Sequence, residues 1–272
     1  MVEGATTAGH LSTSDGRVEF VRYPATVPGG PTLVFLHEGL GCVALWKDFP
    51  ESVAAATDFD TLVYSRVGYG GSDPATLPRP LTYMHREALV ILPEVLDAAG
   101  IERAVLVGHS DGASIAVIHA GGVRDPRVEA LVLMAPHVFN EPVCVASIEA
   151  AREAYPAGLR ERLAAWHGDN VDCAFRGWND AWLDPGFLDW NIEEFLPGIA
   201  VPILVIQGED DEYGTIDQVR AIERQAASGV ETLLLENCRH SPHRDRANAA
   251  REAIVRFAHR VSAAPSARSR SA

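Results

Sequence analysis

The spacing of apolar residues changes character along the chain. From Arg17 to Tyr23, polar and apolar positions alternate behind Ser14-Asp15-Gly16, which predicts an antiparallel hairpin over 11–23 with one solvated face. Thr32–Leu36 and Val128–Met134 are short, mainly aliphatic runs of the kind found in strands buried in a parallel sheet, and Thr61–Tyr64, Ala104–Val107, Val201–Ile206 and Val230–Leu235 are further strands. Helical periods fall between them. They cover Val43–Ala56 with Pro50 as an interruption, Thr82–Ala99 despite Pro93, the stretch after Ser110 through Ala120, Ile216–Ala227 and Pro242–Val261. Leu89, Leu92 and Leu96 should share one face of the second of these, and Gly100 should stop it.

Strand and helix in alternation predict an α/β fold, a doubly wound and mostly parallel sheet of about eight strands. The rhythm is lost from His137 to Ala200. Four of the five tryptophans lie there, with Phe139, Phe175, Phe187 and Phe195. An aromatic-rich insertion between core strands predicts a helical cap over a pocket, or a small core of its own; one set of rings can serve both. The expected organisation is a core of 11–136 and 201–262, an insertion of 137–200, a mobile N-terminus of 1–10 and a disordered serine, alanine and arginine tail of 263–272.

Composition narrows the function classes. The chain has 272 residues, 47% of them hydrophobic, enough for one large core. A formal charge of −14 would repel phosphate backbones and anionic lipid, so no nucleic-acid or membrane partner is expected. No signal-peptide pattern opens the sequence and no run of 18 apolar residues occurs, so a cytoplasmic location is expected. Cys42, Cys144, Cys173 and Cys238 lack the paired spacing of a zinc or redox site and read as isolated thiols.

The chemistry gathers around Gly108-His109-Ser110-Asp111-Gly112. A strand runs into it and a small-residue helix leaves it. Flanking glycines remove the Cβ atoms that would collide as the chain reverses, and Ser110 is set at the apex beside a helix N-terminus. The plain alternative is a glycine-rich turn with an incidental serine. A serine hydroxyl is a weak nucleophile, however, and needs a base plus a group that orients the base. Two further loops supply those types at the carboxyl ends of strands: Gln207-Gly208-Glu209-Asp210-Asp211-Glu212, and Asn237-Cys238-Arg239-His240-Ser241-Pro242-His243.

With the His37-Glu38-Gly39-Leu40-Gly41 loop and Arg66-x-Gly68-x-Gly70-x-Ser72, these motifs make the chain resemble the α/β-hydrolases over roughly residues 33–258. The resemblance places the family's nucleophile, acid and base on Ser110, Asp211 and His240. Asp210 is the rival acid, and a purely acidic surface turn is the plain alternative. His243 is the rival base, but Pro242 near the start of the last helix should leave His243 inside it.

An oxyanion hole needs two preorganised donors. One is expected at the amide of Asp111 and the other in the loop after the first core strand. There Glu38 interrupts the family's commoner His-Gly pattern, which leaves Gly39 and Leu40 as candidates and Glu38 as a third. Asp111 and Glu38 bring two carboxylates toward the acyl site. They either bond locally or favour a substrate carrying an ammonium group. Glu38, Trp178 and Trp182 are the expected substrate contacts.

The expected activity is hydrolysis of a small or medium ester, lactone or thioester through an acyl-enzyme, with no cofactor and no metal. Hydrolysis of a carbon–carbon bond in a ring-cleavage product, a haloperoxidase-like reaction, and a non-catalytic binding module of the same fold are the alternatives. A metal site on His240 and His243 lacks further ligands at suitable spacing. A homodimer is compatible with the sequence.

Overall fold

A computed structural model describes residues 5–27 and 29–263. Eight strands, β1 (Thr7–Thr13), β2 (Gly16–Tyr23), β3 (Thr32–Leu36), β4 (Thr61–Tyr64), β5 (Ala104–His109), β6 (Val128–Met134), β7 (Ile203–Gly208) and β8 (Val230–Leu235), form one sheet in the order β1-β2-β4-β3-β5-β6-β7-β8. β2 pairs antiparallel with β1 and β4, and every other pair is parallel. The central strands are buried along their whole length, and alternate residues feed two cores. Val34, Leu36 and Leu106 face one layer, while Leu33, Phe35, Val105 and Val107 face the other. Phe35 meets Trp46 edge-on at 5.2 Å in that second layer.

Several boundaries differ from expectation for identifiable reasons. Thr7–His10 is not a mobile end: it pairs with Glu19–Arg22 and lengthens the hairpin. Residues 1–4 and 264–272 lie outside the described residues, and Ala263 closes the last helix, Ala247–Ala263. Pro50 does not interrupt a helix but sits in the first turn of Phe49–Thr57, where its missing N–H costs nothing; Val43–Trp46 is a separate 3₁₀ turn. Pro93 acts differently. The helix over 83–98 passes through a π turn at Glu87–Ile91 before Leu92–Ala98, and this shifts the helical phase. Leu92 and Leu96 are buried as expected, but Leu89 is turned out and 41% exposed.

Between β6 and β7 the chain forms helices Pro142–Ala154, Arg160–His167 and Val171–Trp182, with short 3₁₀ turns after the last. Trp182, Phe187 and Trp190 pack on one another with ring centroids 4.9–5.5 Å apart, and Trp166 is exposed. No helix among the described residues is long and apolar enough to cross a membrane.

Candidate active site

Ser110 occupies the turn between β5 and the helix Asp111–Ile118 with φ 51° and ψ −118°, in a region that a non-glycine residue enters only under constraint. The two flanking glycines are required for different reasons. A Cβ on Gly108 would lie 2.4 Å from the carbonyl oxygen of Gly112, inside the turn itself. A Cβ on Gly112 would lie 2.0 Å from the carbonyl oxygen of Leu36, so the helix could not approach the end of β3. Local reversal and close packing on the sheet thus fix the serine together.

Loops from five parallel strands, β3, β5, β6, β7 and β8, meet at a cavity of about 170 Å³. Ser110, His240, Glu38, Asp111, Trp178 and Trp182 are among its lining residues, as are Gly39 and Leu40. Asp211 stands behind His240. Its Oδ1 and Oδ2 lie 2.8 and 3.0 Å from Nδ1 of that ring, so Nδ1–H donates to the carboxylate and Nε2 is free to accept a proton. The Asp211 carboxylate is itself held. Oδ1 also accepts the amides of Tyr213 (2.8 Å) and Gly214 (3.2 Å), and Oδ2 accepts Nε2 of Gln207 (2.8 Å). Burial pushes this carboxyl up, but the charge and hydrogen bond of His240 and the Tyr213 amide bring it down to about 2.

The rival candidates lie elsewhere. Glu209 and Asp210 are exposed. His243 is buried within the short helix Pro242–Asp245, against Trp46 at 4.8 Å and Phe49 at 5.7 Å. Among the described residues, no group of three or more histidine, cysteine or acidic side chains is arranged to hold a metal ion.

The loop after β3 is shaped by two buried side chains. His37 Nδ1–H donates to the carbonyl of Glu38 at 2.7 Å, and its Nε2 accepts the amide of Arg66 at 3.1 Å, a fixed neutral tautomer. Arg66 then donates to the carbonyls of His37 (2.5 Å) and Glu38 (3.1 Å). The Glu38 carbonyl also closes a turn by accepting the amide of Gly41, with Gly39 and Leu40 as the central residues. From the insertion, His167 Nε2–H donates to the Leu40 carbonyl at 2.9 Å.

The two carboxylates near Ser110 face side chains: Tyr83 and Arg66 for Asp111, and His109 for Glu38. Asp111 is fully buried; its Oδ2 accepts the Tyr83 hydroxyl at 2.6 Å and lies 3.8 Å from Arg66, and Trp182 donates to the same Tyr83 oxygen at 3.0 Å. Burial still holds the Asp111 carboxyl above its ordinary value. Glu38 Oε2 lies 3.7 Å from Nδ1 of His109. Burial pushes this carboxyl up, but His109 and then the charges of Arg244 and His243 hold it well below the usual carboxylate range.

Sequence reasoning did not single out Tyr83, His137, Gln207 or Tyr213. Gln207 and Arg66 each open a quoted motif, so both carried some signal. Tyr83 carried none, being 28 positions from the carboxylate it binds.

A sequence model of the Alpha/beta hydrolase family matches residues 33–253. A 133-residue stretch is 33% identical to the 2-hydroxy-6-oxononadienedioate/2-hydroxy-6-oxononatrienedioate hydrolase of Paraburkholderia phymatum, covering 48% of this chain and 45% of that protein. The chain spans less than half the length of the curated relatives it matches. Among solved structures, the fold is similar to an esterase from Exiguobacterium antarcticum, with TM-score 0.74, 17% identity, and coverage of 93% of this chain and 100% of that one. It is also similar to the enol-lactonase from Burkholderia xenovorans LB400, with TM-score 0.70, 19% identity, and coverage of 92% and 99%. With the sheet order, the glycine-flanked elbow and a family match across most of its length, this chain belongs to the alpha/beta hydrolase family.

Proposed function

We propose that the chain is a serine hydrolase that cleaves a small or medium carboxylic ester, lactone or thioester through an acyl-enzyme. The observation that carries this reading is the Asp211 carboxylate on Nδ1 of His240, in a cavity wall that Ser110 shares. With Nδ1–H committed to Asp211, the His240 Nε2 lone pair takes the proton of Ser110 Oγ as that oxygen attacks the substrate carbonyl. The negative charge moves to the carbonyl oxygen. The amide of Asp111, first in its helix and so without an intrahelical acceptor, is one donor to it, and Gly39 or Leu40 supplies the second. Collapse expels the leaving group, which takes the proton from His240. Water then repeats the sequence on the acyl-enzyme and regenerates Ser110.

The insertion acts as a cap in this reading, with Trp178 and Trp182 against the acyl group. A cavity of about 170 Å³ favours short acyl chains. Similarity to the Paraburkholderia protein favours a second reading, in which the substrate is a 2-hydroxy-6-oxo acid. Its named substrates are dioates, with two carboxylates. Glu38 and Glu212 and, among the described residues, no lysine or arginine line the cavity, which weighs against a dianion and for an uncharged ester.

A fluorophosphonate probe is expected to label the wild type at one site and to leave Ser110→Ala unlabelled. An unlabelled wild type would overturn the serine reading. p-Nitrophenyl esters of graded acyl length are expected to give the highest kcat/KM at short to medium chains.

A further inference from the structure

One imidazole links three of the loops around the cavity. His109 is the last residue of β5, is 1% exposed, and precedes Ser110 directly. Its Nε2 lies 2.7 Å from the carbonyl oxygen of His240. A carbonyl only accepts, so Nε2–H donates. The opposite nitrogen faces Glu38, on the loop after β3, at 3.7 Å. The ring also packs edge-on against His243 at 4.8 Å and lies 6.2 Å from Trp46.

The main chain of His240 is therefore held on both sides. Its amide donates to Glu212 Oε2 at 3.2 Å, and its carbonyl accepts from His109. These anchors are unequal. The Glu212 side chain is 34% exposed and shares its carboxylate with Arg239, whereas His109 is sealed from solvent, where a hydrogen bond is stronger and a lost one costs more. Asp211 orients the His240 ring, but it does not fix how far that ring stands from the elbow.

We propose that His109 is a positioning residue. Its hydrogen bond is a strut from the backbone of the nucleophile to the backbone of the base, and it sets the distance between Ser110 Oγ and His240 Nε2. The inference rests on the serine-hydrolase reading above, because only there must that distance be kept.

Three variants test it. His109→Gln carries an amide N–H at about the reach of Nε2. His109→Asn has the same chemistry and cannot reach, and His109→Phe keeps a ring without a donor. With a short p-nitrophenyl ester, His109→Gln is expected to keep kcat within about threefold of wild type. His109→Asn and His109→Phe are expected to lose about tenfold or more in kcat, with KM within about twofold, because a displaced base slows chemistry without weakening binding. Fluorophosphonate labelling should slow in the same order. Wild-type kcat in both His109→Asn and His109→Phe overturns the proposal. So does a loss expressed in KM, or a His109→Gln variant as slow as His109→Asn at an equal melting temperature. The Gln and Asn pair carries the test if the phenylalanine variant does not fold. An unlabelled wild type removes the serine reading itself, whereas a labelled wild type with unimpaired variants removes only the strut.

Discussion

Asp111, next to Ser110, and Asp211, behind His240, both have almost fully buried side chains and carry opposite shifts. Their side chains are 0% and 1% exposed. Burial pushes both carboxyls up. Asp211 receives two backbone amides, one carboxamide and one imidazole, and falls to about 2. Asp111 receives the Tyr83 hydroxyl, has Arg66 at 3.8 Å and leaves Oδ1 without a donor, and it stays raised. The charge and hydrogen bond of His240 and the amide of Tyr213 outweigh desolvation at Asp211, whereas Arg66 and a smaller number of donors do not outweigh it at Asp111. Backbone position explains the count. Asp211 lies in a loop whose amides turn back onto its own side chain, whereas Asp111 opens a helix and points toward the neighbouring 83–98 helix.

The largest expected effect separates the two carboxylates by role. Asp211→Asn should lower kcat for a short ester by about a thousandfold or more, since an amide carries no charge to stabilise the imidazolium and can donate its N–H to Nδ1, which favours the wrong tautomer. Asp111→Asn should stay within about tenfold in kcat and lose stability instead, because Arg66 then loses its buried counter-charge. Comparable losses of kcat in both variants would break the comparison. Next comes Tyr83→Phe, which strips the donor from Asp111 and the acceptor from Trp182. Leaving two buried polar groups unpaired should cost about 3 kcal/mol, seen as a fall of roughly 5–10 °C in melting temperature. An unchanged melting temperature would mean that water takes over both bonds.

A third effect concerns the base side and depends on pH. Burial, and then the charge of His240, bring His137 down to about 3. Its folded value is below its unfolded value, so the unfolded chain binds the extra proton, and stability is full above the ordinary histidine range and lost as pH falls toward 3. Between pH 7 and pH 5 this loss is about 2 kcal/mol for His137 alone. His137→Phe, which keeps a ring against Trp182, should lose that much less than wild type over the same interval in denaturant titrations. Equal losses in the two proteins would show that His137 is not buried in its neutral form.

Much of this frame is legible in the chain, because it is written locally. Apolar runs mark the central strands, β8 matches its expected limits at Val230–Leu235, and Gly108 and Gly112 mark an elbow whose geometry no Cβ would permit. The Asp211 and His240 loops are legible for the same reason, since each follows a predicted strand. What periodicity cannot show is a buried polar contact between elements far apart in sequence. Tyr83 serves Asp111 across 28 positions, and His109 reaches the His240 carbonyl across 131. The π turn ahead of Pro93 is likewise invisible, and it decided that Leu89 would face solvent.

The smallest expected effect bears on how the two sides share the substrate. Three acidic residues and, among the described residues, no lysine or arginine line the cavity, but the three are not equivalent. Asp111 already has Arg66 as counter-charge and is sealed from solvent, so a substrate should feel little of it. Glu38 faces the cavity with a side chain 21% exposed and is held ionised. Its field falls on any charged acyl group, reduced by the solvent that reaches it. A p-nitrophenyl ester with an uncharged acyl chain should therefore exceed the matched ester with a terminal carboxylate by about three- to tenfold in kcat/KM. Glu38→Gln should reduce that ratio toward one, and Asp111→Asn should leave it unchanged. If Asp111→Asn relaxes the ratio instead, the carboxylate that looks like a structural anchor is the one that reads the substrate. The contrast between the two sides of Ser110 would then lie in ligand selection rather than in stability.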